Sequence, residues 1–219
     1  MAITTTYFTG TTANDNRNEV RSWLSTNASD YFNSISTPAG STQIQCKIGD
    51  VTALTIDTDS NNYVFFATLK NGTNDYRYKG WKTNHCFTRA VKTSCGILLY
   101  VNNIENIFIT KNTDGGVMFA GYHSTGNSTY GATIGDFEND SAFKNMGGNN
   151  VTGFAASELK NVGVQSAGRT ALVPAVTDAG TYSDRLFFVP FTQFIGQAGI
   201  TIDVDGTKYV YNGVFALKE

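Results

Sequence analysis

Two hydrophobic periods divide the chain. Residues 11–36, TTANDNRNEVRSWLSTNASDYFNSIS, carry apolar side chains at helical spacing. Val20, Trp23 and Leu24 share one face, and Tyr31, Phe32 and Ile35 repeat the pattern. Asn16 ahead of Glu19 and Asn27 ahead of Asp30 supply cap pairs. The pattern predicts two short helices, with Pro38 and Gly40 closing the region.

From residue 42 to 123 the period falls to two. TQIQCKIGD and VTALTID alternate as short strands. NYVFFATLK and TNDYRYKGW flank Asn71-Gly72, the pair favoured where both turn residues take positive φ. A two-residue loop there places Ala67 opposite Tyr76 and Phe65 opposite Tyr78. Tyr63, Phe65, Leu69, Tyr76 and Tyr78 then share a core face, with Val64, Phe66, Arg77 and Lys79 on the other. GILLYV, NIFITKN and GVMFAGYH follow as three further strands.

Residues 124–185 break this regularity. They are rich in Gly, Ser and Asn, with one plain strand at TALVPAV, and read as long surface loops around one or two strands. The ending restores order. Asp205-Gly206 sets Val204 against Thr207, Asp203 against Lys208 and Ile202 against Tyr209. Asn212-Gly213 sets Val210 against Phe215 and Tyr209 against Ala216. This meander carries Ile200, Ile202, Tyr209, Tyr211, Val214 and Ala216 on one face. The other face carries Asp203, Lys208, Val210, Phe215 and Leu217, more apolar surface than water tolerates, so something is expected to cover it.

The expected fold class is mainly β: an antiparallel β-sandwich or distorted barrel, with a short helical N-terminal element at 1–40 and a β domain at 41–219. Composition narrows the partners. Among 219 residues, 16 Lys plus Arg face 18 Asp plus Glu, a net charge of -2 that gives no field to steer nucleic acid or an anionic membrane. Charged residues make up 16%, against roughly 25% in soluble domains, so Thr, Asn, Ser and Gly must carry solubility. Aromatic residues reach 13%, and together these proportions fit β proteins that sit in large assemblies or face the outside. Cys46, Cys86 and Cys95 cannot all pair, which favours free, buried thiols and assembly in a reducing cytosol. The opening MAITTTYFTG lacks the basic and apolar regions of a secretion signal, and GILLYV is too short to span a bilayer. The Asn-x-Ser/Thr triplets at Asn27, Asn71, Asn127 and Asn150 are then compositional.

Reactive constellations are thin. Asp136, Glu138 and Asp140 lie close in GDFEND and read as a solvated loop; Asp136 and Glu138 would be the pair of a small cell-wall hydrolase. DTDSNN opens like a calcium loop, but Asn62 stands at its sixth place and Thr68 at its twelfth, so it reads as a turn. His85, Cys86 and Cys95 fall short of a zinc set, and no phosphate-cradling or dinucleotide motif occurs. No catalytic residue, metal or cofactor is expected. In DYRYKGW, Tyr76 and Tyr78 read as core aromatics and Arg77 and Lys79 as solvated cations, rather than a stacking platform.

The order of VRSWLSTNASDYFNSI, IQCKIGD, AVKTSCGILLYV, IENIFITKN, TALVPAV, FFVPFTQF and GITIDVDGTKYVYNGVFALKE resembles small virion structural proteins of tailed bacteriophages and prophages of gut Firmicutes. The likeness extends over most of the chain, with TSCGILL to IFITK and GTKYVYNGVFALK its most specific parts. It implies a non-enzymatic role in a particle, made in the bacterial host cytoplasm, with copies of itself and other virion proteins as partners. It provides no catalytic residues. Val210, Phe215, Leu217, Trp23 and Phe32 are the expected assembly interface. Tyr122 and Tyr130 are the candidate ligand-facing loop of the alternative reading, a receptor- or host-glycan-binding module.

Overall fold

The computed structural model describes residues 3–59, 62–68, 76–79, 86–101, 106–124, 130–136, 141–142, 154–155, 172–176, 182–188, 201–211 and 215–219. In chain order they form β1 (Thr4–Tyr7), α1 (Ala13–Asn27), β2 (Ser34–Ser36), β3 (Gln43–Ile48), β4 (Val51–Asp59), β5 (Asn62–Thr68) and β6 (Tyr76–Lys79). Then follow β7 (Arg89–Lys92), β8 (Gly96–Tyr100), β9 (Asn106–Lys111), β10 (Val117–Ser124), β11 (Tyr130–Asp136), β12 (Ser141–Ala142) and β13 (Phe154–Ala155). The last are β14 (Val173–Val176), β15 (Tyr182–Phe188), β16 (Thr201–Val204), β17 (Thr207–Tyr211) and β18 (Phe215–Lys218).

The chain is mainly β, with three antiparallel sheets and one N-terminal helix. The central sheet runs β1-β7-β8-β9-β10-β11-β12, with β13 also on β11. A second runs β2-β3-β4-β5-β6 and a third β14-β15-β18-β17-β16. Among the described residues none of the three closes into a barrel, so the sandwich is the observed form.

Strands β8 and β9 explain the layering. GILLY is buried at every position and NIFIT likewise, the continuous apolar run of a strand covered on both faces. One face presents Ile97, Leu99, Ile107, Ile109 and Phe119 to a core shared with Val20 and Leu24 of α1 and with Ile44, Cys46, Leu54 and Ile56 of the second sheet. The opposite face presents Leu98, Tyr100, Phe108, Met118 and Ala120, also buried. On that side the third sheet docks: Leu217 of β18 lies so close to Gly96 that a Cβ there would sit 2.8 Å from its Cδ2 and 2.6 Å from the Ile109 carbonyl. Only glycine fits that crossing.

The N-terminal segment differs from the two-helix expectation. A single helix forms, capped by Thr12, whose hydroxyl accepts from the Asp15 N–H and donates to the Asp15 carboxylate. Asn16 is not the cap. It is fully buried and clamps Phe87 like a ladder partner, donating to its carbonyl and accepting from its N–H, both at 2.9 Å. After Asn27 the chain turns on Ala28, with Tyr31 and Phe32 both donating to its carbonyl at 3.0 Å. Ile35, expected on a second helix, lies in β2 opposite Cys46, because Ser-Ile-Ser has strand alternation and a sheet edge to join. Within the span 1–40 the one helix is flanked by strands: β1 joins the central sheet, β2 the second.

Turn chemistry set some registers and not others. Asp205 and Gly206 take φ of 52° and 78°, and every expected pair from Val204–Thr207 to Ile202–Tyr209 forms. The next hairpin is two residues longer, with Val210 opposite Leu217 and Tyr211 opposite Ala216. A slip of two leaves each side chain on its expected face. On β5 and β6 the ladder places Ala67 opposite Tyr78 and Thr68 opposite Tyr76, with a bulge between them, so the tight Asn71-Gly72 register is not adopted. The turn itself, and the side chains of that hairpin, lie outside the described residues. Within 124–185, expected as loops around one or two strands, the described residues form β11, β12, β13, β14 and the start of β15, and most of the rest of the span lies outside the described residues.

Candidate assembly surfaces

The meander's second face is covered, and the cover is the chain itself. Val210 and Phe215 are each 3% exposed and Leu217 is fully buried, with Leu186 of β15 equally enclosed. The expectation that these residues form a docking surface is corrected accordingly: they belong to the interior beside the central sheet. The first face is buried as anticipated, with Ile202, Tyr209, Tyr211 and Ala216 clustered against Phe187, Leu172 and Val204. Phe187 and Tyr209 meet edge to face at 5.5 Å.

Polar bonds fasten this layer at one end. The Thr93 hydroxyl receives the N–H groups of Cys95 and Gly96 and lies 3.3 Å from the Lys218 carbonyl. Cys95 Sγ stands 3.9 Å from the Glu219 carbonyl. Asn112 donates to the Tyr182 carbonyl and accepts from the Ser183 hydroxyl at 2.7 Å, while the Thr113 hydroxyl and N–H bond Asp184. Partial burial works against the Asp184 charge, but the Thr113 donors outweigh it and hold the carboxyl below its ordinary range.

The other expected interface residues are also largely internal. Phe32 is buried in the principal core. Trp23 is half-buried, edge-on to Phe8 at 6.5 Å, with its indole N–H donating to the Thr6 hydroxyl at 3.1 Å. Tyr122 and Tyr130 are not on a loop: they lie in β10 and β11, opposite Ala132 and Ser124 respectively. Their side chains are outside the described residues.

Among the described residues the candidate chemical groups are not brought together. Asp136 sits in a strand, between Met118 on β10 and Ser141 on β12, while Glu138 and Asp140 lie outside the described residues. Asp57 and Asp59 belong to β4, whose ladder with β5 ends at Asp59 opposite Asn62, a hairpin as read from the turn residues. His85 lies outside the described residues, and the backbone of His123 pairs with Gly131 in β10. Cys46, Cys86 and Cys95 are free, but of the expected buried thiols only Cys46 is enclosed, Cys86 and Cys95 being partly exposed; burial pushes the Cys46 thiol well above its usual range. Among the described residues no group of three His, Cys, Asp or Glu side chains could hold a metal, and no helix is long and apolar enough to cross a membrane.

No family model, curated protein or solved structure matches this chain. The surface that stands out on geometry is one the sequence pattern did not single out. Among the described residues β1 is the end strand of the central sheet, bonded to β7 on one side. The Phe8 N–H donates to Thr88 on the β7 side, so strand alternation turns Thr4 and Thr6 inward and Thr5 and Tyr7 outward. Tyr7 is 69% exposed. Tyr182, at 67%, is the other exposed large apolar residue among those described, but β15 is paired on both sides. A run of threonines at the chain's start was the available signal, since β-branched residues favour strands.

Proposed function

We propose that this chain is a non-enzymatic structural protein of a tailed-bacteriophage or prophage particle, assembling through symmetric contacts with copies of itself and with other virion proteins. One observation carries the reading. The two stretches most specific to the virion-protein resemblance, around 93–110 and 206–218, come together in space: Leu217 packs on Gly96, and Thr93 and Cys95 meet the last residues. Two stretches that meet in a joint between layers support a framework role. The uncharged, open β1 edge and the free thiols accord with assembly in a host cytoplasm.

A second reading, a host-glycan- or receptor-binding module, draws on Tyr122 and Tyr130, which the β10–β11 ladder brings to the same end of one hairpin. Light scattering and negative-stain microscopy of the purified protein, with a search for it in purified particles, test the first reading. Association and incorporation are expected. A monomer at every concentration that is absent from particles would overturn it. A glycan array tests the second: retention lost on Tyr122→Ala would favour it.

A further inference from the structure

We infer that β1 is a self-complementary edge on which a second copy of the chain adds its own β1, antiparallel, joining two central sheets into one. The proposal deepens the assembly reading and rests on it for the premise that copies associate. The observations on β1 itself are three.

The first is an unmet ladder. Thr5 and Tyr7 turn their backbone N–H and C=O groups away from β7, and both side chains are exposed. Open edges of this kind are normally blunted by shortness, lysine, proline, a bulge or a covering loop. β1 is short, four residues, but it pairs without a register break, its sequence Thr-Thr-Thr-Tyr has neither lysine nor proline, and Thr5 and Tyr7 are exposed.

The second is charge. No residue from 1 to 14 is charged. In a two-fold antiparallel pair the central residue faces itself, so any charge at the centre would meet a like charge. A stretch without charge is compatible with its own copy in a way most edge strands are not.

The third is pattern. With Thr5 at the two-fold axis, Thr5 faces Thr5, Thr4 faces Thr6, and Ile3 faces Tyr7. The outward residues 3, 5 and 7 then exchange the backbone bonds, and the exposed Tyr7 ring is covered by an aliphatic partner. Ile-Thr-Thr-Thr-Tyr is close to a palindrome in character, which is what one strand needs to pair with itself. Meanwhile the inner side of the strand is fixed: Trp23 bonds Thr6, and Glu19 accepts from the N–H groups of Thr9 and Gly10, each at 2.9 Å. The edge is therefore presented already ordered, so pairing need not pay for folding it.

The test is light scattering on size-exclusion-separated protein over a range of concentrations, comparing wild type, Thr5→Pro and Thr5→Lys. Proline at Thr5 removes an outward N–H and no bond to β7; lysine sets two cations across the axis. Wild type at twice the mass of one chain or more, with both variants folded by circular dichroism and shifted to smaller species, is the expected result. Lysine at an exposed edge position keeps the test open should the proline variant misfold. Association unchanged in the folded variants would overturn the β1 pairing and leave the assembly reading standing. A wild type that is monomeric yet incorporated into particles would do the same. A wild type that is monomeric and absent from particles would remove both.

Discussion

The C-terminal meander and β1 present opposite problems of surface. The meander, β16 to β18, carries apolar residues on both faces, and Ile202, Tyr209, Val210, Tyr211, Phe215, Ala216 and Leu217 are all buried within the chain. β1 is almost wholly polar, yet its backbone edge stays open and its one aromatic ring is exposed. Side-chain hydrophobicity marked the meander as needing a cover, and the fold supplied one. The need at β1 is of another kind, in hydrogen bonds rather than apolar area, and a hydropathy pattern does not register it.

The comparison breaks most sharply at Phe215. Replacing it with Asp buries a charge without a partner, and the expected cost is about 3–5 kcal/mol. Urea denaturation should show the fold lost or severely weakened. A folded Phe215→Asp protein that merely fails to associate would return the meander to the outside.

Asn16 sharpens the case for a fastened N-terminal segment. Asn16→Ala leaves the buried Phe87 N–H and carbonyl without their side-chain partner. The expected loss is about 2–4 kcal/mol, read from the denaturation midpoint. Gly96→Ala probes the joint from the other side. The added methyl meets the Ile109 carbonyl of the neighbouring strand and the Leu217 side chain of the third sheet, and a loss of about 1–3 kcal/mol, read from the denaturation midpoint, is expected.

Glu19 contributes a smaller, pH-dependent hold. The Gly10 N–H first, then the Thr9 hydroxyl and N–H, stabilise its carboxylate and lower its pKa from an ordinary 4.5, against a small opposing effect of burial. A depressed carboxyl pKa adds stability that is present above the unfolded value and fades as pH falls through the folded one. Thermal melts of wild type should therefore lose more than those of Glu19→Gln on acidification from about 4.5 downward. The smallest effect is expected at Tyr7. Tyr7→Lys should change stability by no more than about 0.5 kcal/mol, because the ring is exposed; a large loss would mean that β1 is covered.

How far the sequence could be read follows from these particulars. Alternation exposed the strands, and Asp205-Gly206 dictated its register outright because both turn residues need positive φ. The faces of the meander survived even where Asn212-Gly213 gave a longer connection, since a two-residue slip preserves parity. Tyr31, Phe32 and Ile35 mimicked a helical stripe because all three pack on the principal core, the first two from the turn after α1 and Ile35 from β2. Asn16 looked like a cap, and its partner Phe87 is 71 residues away, a pairing no local pattern contains. The assembly residues went astray for one physical reason. Val210, Phe215 and Leu217 declare burial, and nothing in an apolar side chain says whose surface will bury it.

Amide hydrogen exchange at two protein concentrations tests the central contrast most directly. The amides of Val210, Phe215 and Leu217 should be protected equally in dilute and concentrated protein, while those of Thr5 and Tyr7 exchange freely when dilute and slow down as copies meet. Protection of the 210–217 amides that arises only on association, with Thr5 and Tyr7 unchanged throughout, would contradict the account.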